Sequence, residues 1–275
     1  MCRIRKIICF RGRAGDRAEG NIPGAIRLAE HLTNLTGFPI QWVGEPAAPV
    51  HDSWREALDA ARPALHELAS CVREEIAAGF TPFCVLPTDG SSFVVHAAVI
   101  QGDADTTLVW FDAHADLNTP QTTESGFLGG MALAASCGLW DAGFGRATSL
   151  EHVLLVGARA IDDAEQHLLQ EYKVARIPSN REASSRFLDT ELRAKTFVHL
   201  DLDCLEPGYV PLQYEEGNGL LPNEVRACLE SIVRRSHVTG ITISEFYGTT
   251  EATDDSAALD IASDIIKPII APKGL

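Results

Sequence analysis

Two short acidic stretches carry residue types that bind cations. Asp112-Ala113-His114-Ala115-Asp116 follows the apolar run Leu108-Val109-Trp110-Phe111, and Asp201-Leu202-Asp203 follows Phe197-Val198-His199-Leu200. Side chains two apart on an extended chain point to one side. Asp112, His114 and Asp116 can therefore converge, and so can Asp201 and Asp203. Four carboxylates at two strand ends repel one another unless a cation sits among them. Carboxylates with one imidazole suit a hard or borderline divalent ion such as Mn²⁺, and nothing here indicates thiolate-rich zinc chemistry. Such an ion lowers the pKa of bound water and supplies hydroxide near neutral pH. The competing reading makes both stretches solvated loop acids. Their placement behind two buried-strand patterns weighs against it.

The elements that must position these residues alternate. Short runs rich in Val, Ile and Phe occupy Lys6–Phe10, Ile40–Val43, Pro82–Leu86, Thr107–Phe111, His152–Val156, Val174–Ile177, Phe197–Leu202 and Thr239–Ser244. Most lack polar alternation, as strands covered on both faces should. Amphipathic helical patterns lie between them at Ala25–Leu35, Trp54–Ala77, Ser92–Ile100, Gly130–Cys137, Asp162–Glu171, Ala183–Arg193 and Pro222–Arg235, with a last helix from Asp254 to about Ile266. This order predicts a three-layer α/β/α fold with a mostly parallel sheet of about eight strands. No repeat or linker divides residues 1–275, so one domain is expected. Ligand sites in such sheets lie beyond the carboxyl ends of the strands, where both acidic stretches fall.

Composition narrows the partners. The formal net charge of −15 argues against nucleic acid and anionic membranes. The seven cysteines are odd in number and form no CxxC pair, which suits reduced thiols in a cytoplasmic protein. The apolar run Ile7–Phe10 is too short for a signal-peptide core, and no stretch reaches the roughly 18 apolar residues of a membrane span. A small-molecule ligand and a monomer or small homo-oligomer are expected.

The motifs resemble those of the arginase (ureohydrolase) family over nearly the whole chain. Asp112–Asp116 is similar to its DAHxD signature, and Asp201-Leu202-Asp203 with Glu206-Pro207 to its DxDxxDP signature, with Glu in place of the third Asp. The resemblance implies a manganese-dependent amidinohydrolase that cuts a guanidino carbon–nitrogen bond in an arginine-like amino acid. It implies metal ligation by Asp112, His114, Asp116, Asp201 and Asp203. It gives Glu245 the guanidinium and Asp116 the proton transfer from water to the leaving amine. Asn118, Thr123 and Ser125, in a loop resembling the arginase carboxylate grip, would hold the substrate α-carboxylate. Asp162 and Glu165, after Gly157-Ala158-Arg159, would hold its α-ammonium. Neutral donors facing a carboxylate, and carboxylates facing a cation, make chemical sense.

Two positions depart from the family pattern. Where its GGDHS motif has a metal-ligating His, this chain has Gly90 in Thr88-Asp89-Gly90-Ser91. One well-formed metal site is expected, with the other weakened unless Asp89 or Ser91 compensates; His96, inside a helical pattern, suits a core role better. Where arginases keep a proton-transfer His, this chain has Gly129, and loss of a general acid–base group removes roughly 10²–10⁴-fold in rate. Phe127-Leu128-Gly129-Gly130-Met131, Ala135–Asp141 and Val43-Gly44-Glu45-Pro46 resemble the Nω-hydroxy-L-arginine amidinohydrolases of D-cycloserine biosynthesis, a subgroup lacking the same two histidines. That resemblance implies Nω-hydroxy-L-arginine as substrate, with L-ornithine and hydroxyurea as products. N-hydroxylation lowers the basicity of the guanidino group and leaves less for a general acid to do. Open beside it stand ordinary arginase activity, another ureohydrolase such as an agmatinase or formiminoglutamase, and a non-catalytic ligand-binding member of the fold. His199 and Cys204 read as core residues, and Glu215 as a solvated loop acid.

Overall fold

The computed structural model describes residues 2–100, 105–145, 147–179, 182–248 and 255–270. Eight strands form one sheet in the order β2-β1-β3-β8-β7-β4-β5-β6, and every pairing is parallel. They are β1 (Ile7–Phe10), β2 (Ile40–Val43), β3 (Phe83–Val85), β4 (Thr107–Phe111), β5 (Val153–Val156), β6 (Ala175–Ile177), β7 (Lys195–Asp201) and β8 (His237–Ser244). The helices are α1 (Asn21–Thr36), α2 (Trp54–Ala77), α3 (Ser92–Val99), α4 (Ala132–Ser136), α5 (Asp163–Glu171), α6 (Ala183–Asp189), α7 (Pro222–Arg235) and α8 (Ser256–Ile270).

The sheet separates two apolar layers, and alternation along each strand feeds both. Ile7 and Cys9 pack with α1, α6, α7 and α8, while Ile8 and Phe10 pack with α2, α3, α4 and α5. This is the expected three-layer arrangement, and it explains why the strands read as continuous apolar runs. Where local signals are strong the expected boundaries hold. Helix α2 starts at Trp54 because Ser53 Oγ accepts from Glu56 N and Glu56 Oε2 accepts from Ser53 N at 3.0 Å.

Other boundaries move for physical reasons. Helix α1 begins at Asn21, four residues before the expected Ala25, because Pro23 falls in the first turn, where its missing N–H is no loss. The Gly130–Cys137 pattern divides into a 3₁₀ turn at Gly129–Met131 and the short α4. Helix α6 stops at Asp189, short of Arg193, as Thr190 turns extended. Asp254, expected to open the last helix, lies outside the described residues. Among the described residues no helix is long and apolar enough to cross a membrane, and the seven cysteines are unbridged.

One close approach joins this scaffold to the site. Gly24 of α1 packs so tightly on the segment after β8 that a Cβ there would overlap the Phe246 carbonyl. The contact fixes the chain beside Glu245. Gly24→Ala should destabilise the protein by about 1–3 kcal/mol, the usual cost of overpacking. A lowered urea midpoint with an unchanged slope checks it; an unchanged midpoint contradicts the packing argument.

Candidate metal and substrate site

Four adjacent strands, β3, β8, β7 and β4, end at the same edge of the sheet and carry Asp89, Glu245, Asp201 with Asp203, and Asp112 to Asp116. Parallel pairing puts all these carboxyl ends together. Asp112 is fully buried: its Oδ2 accepts from Trp110 Nε1 at 2.8 Å and its Oδ1 from His114 N at 2.6 Å. His114 Nδ1 lies 3.0 Å from Asp203 Oδ2 and 3.3 Å from Asp112 Oδ1. Asp203 Oδ1 accepts from Ala113 N at 2.9 Å, and Asp201 Oδ1 from Asp203 N at 2.6 Å. Asp116 and Glu245 are both buried and both left-handed, at φ 50° and 62°. Non-glycine residues pay for that conformation, and folds keep it where it aims a functional side chain.

Ligand atoms of three groups lie within 4.8 Å of one another: Asp112, His114 and Asp203; Asp89, Asp112 and His199; and Asp89, Asp201 and Glu245. Asp116 Oδ2 and Asp201 Oδ2 are buried without any hydrogen-bond partner. A buried carboxylate oxygen left unpaired is costly. A divalent cation satisfies oxygens that no protein donor reaches, so the residues present fit a hard metal such as manganese.

Charge perturbation supports the same conclusion. Burial, then the neighbouring Asp203, pushes Asp112 up to about 7. Burial and Asp112 raise Asp116, burial and Asp203 raise Asp201, and burial and Asp89 raise Glu245, all well above the ordinary carboxylate range. For His114, burial opposes the charged form, but Asp112 and Asp203 outweigh it and raise the imidazole. Asp89 departs from the other acids: burial opposes its charge, but the His199 contact prevails and holds it low. Its Oδ1 accepts from Ser244 Oγ at 2.6 Å and lies 2.9 Å from His199 Nε2, a close contact without hydrogen-bond alignment. His199 Nδ1 shares a 2.8 Å hydrogen bond with Thr242 Oγ1, and its ring stacks on Trp110 at 3.7 Å.

The cavity above this floor, about 380 Å³, is also lined by Arg17, Asn118, Ser125, Phe127, Asp162, Glu165 and Tyr214. Asn118 Nδ2 donates to Asp162 Oδ2 at 2.8 Å, which joins the two expected head-group loops. Glu165 is occupied on both oxygens, accepting from Leu117 N and Asp162 N at 2.9 Å each, so it also caps α5. Thr123 is not among the lining residues; its hydroxyl accepts from Gly126 N at 3.1 Å inside its own loop. His96 is a buried core residue sharing a 3.1 Å hydrogen bond with Thr148, and Cys204 packs in the core. Glu216, not Glu215, borders the cavity.

The site contains side chains that sequence reasoning missed. Asn21 Nδ2 steadies Glu245 Oε2 at 3.2 Å across a separation of 224 residues. Arg17, Phe127 and Tyr214 form one wall. No local pattern marks these residues. At Gly90, a Cβ would overlap the Ala14 carbonyl oxygen, so backbone already fills the side-chain space.

Residues 21–268 match the family model described as Arginase family. The chain is 34% identical over 262 residues to the N(omega)-hydroxy-L-arginine amidinohydrolase of Streptomyces lavendulae, covering 95% of this chain and 96% of that protein. It is 26% identical over 267 residues to the arginase of Bacillus caldovelox, covering 91% and 89%. The native crystal structure of Bacillus caldovelox arginase superimposes with a TM-score of 0.82 at 22% identity, over 99% of this chain and 100% of that one. Entamoeba histolytica arginase in complex with L-ornithine gives 0.83 at 17% identity, over 98% and 99%. At those identities the structural likeness speaks for the fold.

Two outcomes follow from the site's geometry. Gly90→His should not install a metal ligand: melting temperature should fall and metal per chain should not rise, measured by thermal denaturation and elemental analysis. More metal at unchanged melting temperature would contradict the steric argument. The second concerns metal-free protein. Asp112 at about 7 and Asp16, raised by burial to about 6, titrate above their unfolded values near 4. Their stabilising contribution is complete below about pH 4 and is lost as pH rises through 6 and 7. Asp89 works in the opposite direction but is outnumbered. The melting temperature of stripped protein should therefore drop between about pH 4 and 7, and Mn²⁺ should oppose the drop. A flat profile would mean that the acids are not confined together.

Proposed function

The chain belongs to the arginase family, and on that premise we propose that it hydrolyses Nω-hydroxy-L-arginine to L-ornithine and hydroxyurea. The class of reaction, metal-dependent amidinohydrolysis, comes with the family. The substrate is our own reading. One observation carries it: the two positions where ordinary arginases are expected to keep histidines are glycines whose side-chain space is taken up, by backbone at Gly90 and by an aromatic ring at Gly129. The Ala14 carbonyl stands against Gly90, and a Cβ at Gly129 would lie 2.5 Å from Phe127 Cε1. The 34% identical relative, named for hydroxyarginine, supports the same reading.

Asp112, His114, Asp116, Asp201 and Asp203 would hold manganese, with Asp89 close enough to join them. The metal, when bound, supplies the activation of water for attack on the guanidino carbon. This chain's residues do the rest. Glu245, braced by Asn21, faces the guanidino nitrogens and orients them through charge-assisted hydrogen bonds. Asp116 Oδ2, buried and unpaired, takes a proton from the attacking water and passes it to the departing ornithine nitrogen. Asn118, Ser125, Asp162 and Glu165 line the cavity together; on this reading Asn118 and Ser125 would hold the α-carboxylate, and Asp162 and Glu165 the α-ammonium. A substrate lacking that head would forgo its hydrogen bonds to these groups, at roughly 0.5–3 kcal/mol each.

The deciding experiment is mass-spectrometric product analysis from L-arginine and Nω-hydroxy-L-arginine, before and after metal removal, with manganese counted per chain. Hydroxyurea should form with the higher kcat/KM, cease on chelation and return with Mn²⁺. Urea from L-arginine at equal or greater efficiency would assign the chain to the ordinary arginase reaction instead.

A further inference from the structure

The wall of the cavity beside Gly129 is built by Phe127 and its clamps. An added Cβ at Gly129 would lie 2.5 Å from Phe127 Cε1 and 2.9 Å from Cζ, so the ring occupies the volume a side chain there would need. An aromatic ring could swing aside, but this one is held. The Arg17 guanidinium lies over it, 5.1 Å from the centroid, and Tyr214 packs against it at 6.2 Å. Arg17 is itself anchored: Nη1 donates to the Ser125 carbonyl at 3.2 Å, and Nη2 to the carbonyls of Gly126 at 3.0 Å and Asp52 at 2.8 Å. Tyr214 in turn stands edge-on to His114, with centroids 6.0 Å apart. Through Tyr214, then, the ring connects the loop that carries Ser125 with His114 of the floor.

We propose that Phe127 is a specificity-determining residue, held by Arg17 as a positioning residue, and that its ring biases the cavity toward an amidine of low basicity over a fully charged guanidinium. The proposal rests on the substrate reading above. Its physical basis is desolvation: packing a cation against an apolar ring strips water without returning hydrogen bonds, whereas a neutral hydroxyguanidine loses less. The same ring stands where a side chain at position 129 would be, leaving Asp116 and the substrate's own hydroxyl to handle protons. A guanidinium held over the ring face also takes the position from which a substrate cation could gain from that face.

The test uses manganese-loaded full-length protein, with kcat/KM for Nω-hydroxy-L-arginine divided by that for L-arginine. Phe127→Ala and the milder Phe127→Leu should each lower this ratio, the alanine variant at least tenfold, with manganese per chain unchanged. Arg17→Lys should raise KM for both substrates more than it lowers kcat, because it loosens the loop carrying Ser125 and Phe127 together. Gly129→Ala should lower the melting temperature in the parent protein and be tolerated in Phe127→Ala. The readout is a change from whatever preference the parent shows. A parent that prefers L-arginine overturns the substrate reading and leaves this test intact, and if neither compound turns over, the ratio of their dissociation constants by calorimetry serves instead. A ratio within twofold of the parent in both Phe127 variants, or a Gly129→Ala penalty that persists without the ring, overturns the proposal.

Discussion

Like charges brought together in a buried place must be neutralised, and that requirement governs the rest of this molecule. Asp89, Asp112, Asp116, Asp201, Asp203 and Glu245 are each at most 5% exposed and share one edge of one sheet. Isolated, each ionised group would cost several kcal/mol to bury, and neighbouring acids add to the cost. Protons offer one remedy, visible as the upward push on Asp112, Asp116, Asp201 and Glu245. A divalent cation offers the other, and it would satisfy the oxygens of Asp116 and Asp201 that no protein donor reaches.

The fold's contribution is to make that crowding unavoidable. Parallel pairing of β3, β8, β7 and β4 delivers every acidic segment to the same end. Beneath the acids, Trp110, His199, Thr242 and Ser244 form a buried polar floor that fixes Asp89 and Asp112. Such support narrows the geometry of the groups above it. The left-handed backbones of Asp116 and Glu245 are held in place by their surroundings. For Glu245 those surroundings are Asn21 and the close approach of Gly24 to Phe246.

The two glycine departures look alike in the sequence and differ in space. At Gly90 the missing side chain is replaced by backbone, the Ala14 carbonyl, so the local structure has closed over the gap. At Gly129 it is replaced by a ring, so the gap has become an apolar surface facing the cavity. Asp89, beside Gly90, is an acid that belongs to two of the three candidate metal-holding groups.

What the amino-acid order determined alone was everything with a local period. Uninterrupted apolar runs announced strands covered on both faces, and Asp112, His114, Asp201 and Asp203 stood out as cation-binding types placed directly behind two of them, although Asp203 lies in a 3₁₀ turn after β7 and not on the strand. Ser53 and Glu56 set the start of α2 through bonds three residues apart. Tertiary structure decided which strands stand side by side, and with that every contact between distant residues. Asn21 against Glu245, Ala14 against Gly90, Asp89 against His199 and Arg17 over Phe127 join segments that no window of sequence contains. Even Thr123, placed in the carboxylate loop by its motif, turned its hydroxyl to its own backbone, because hydrogen-bond choice within a loop depends on how the neighbouring chain packs.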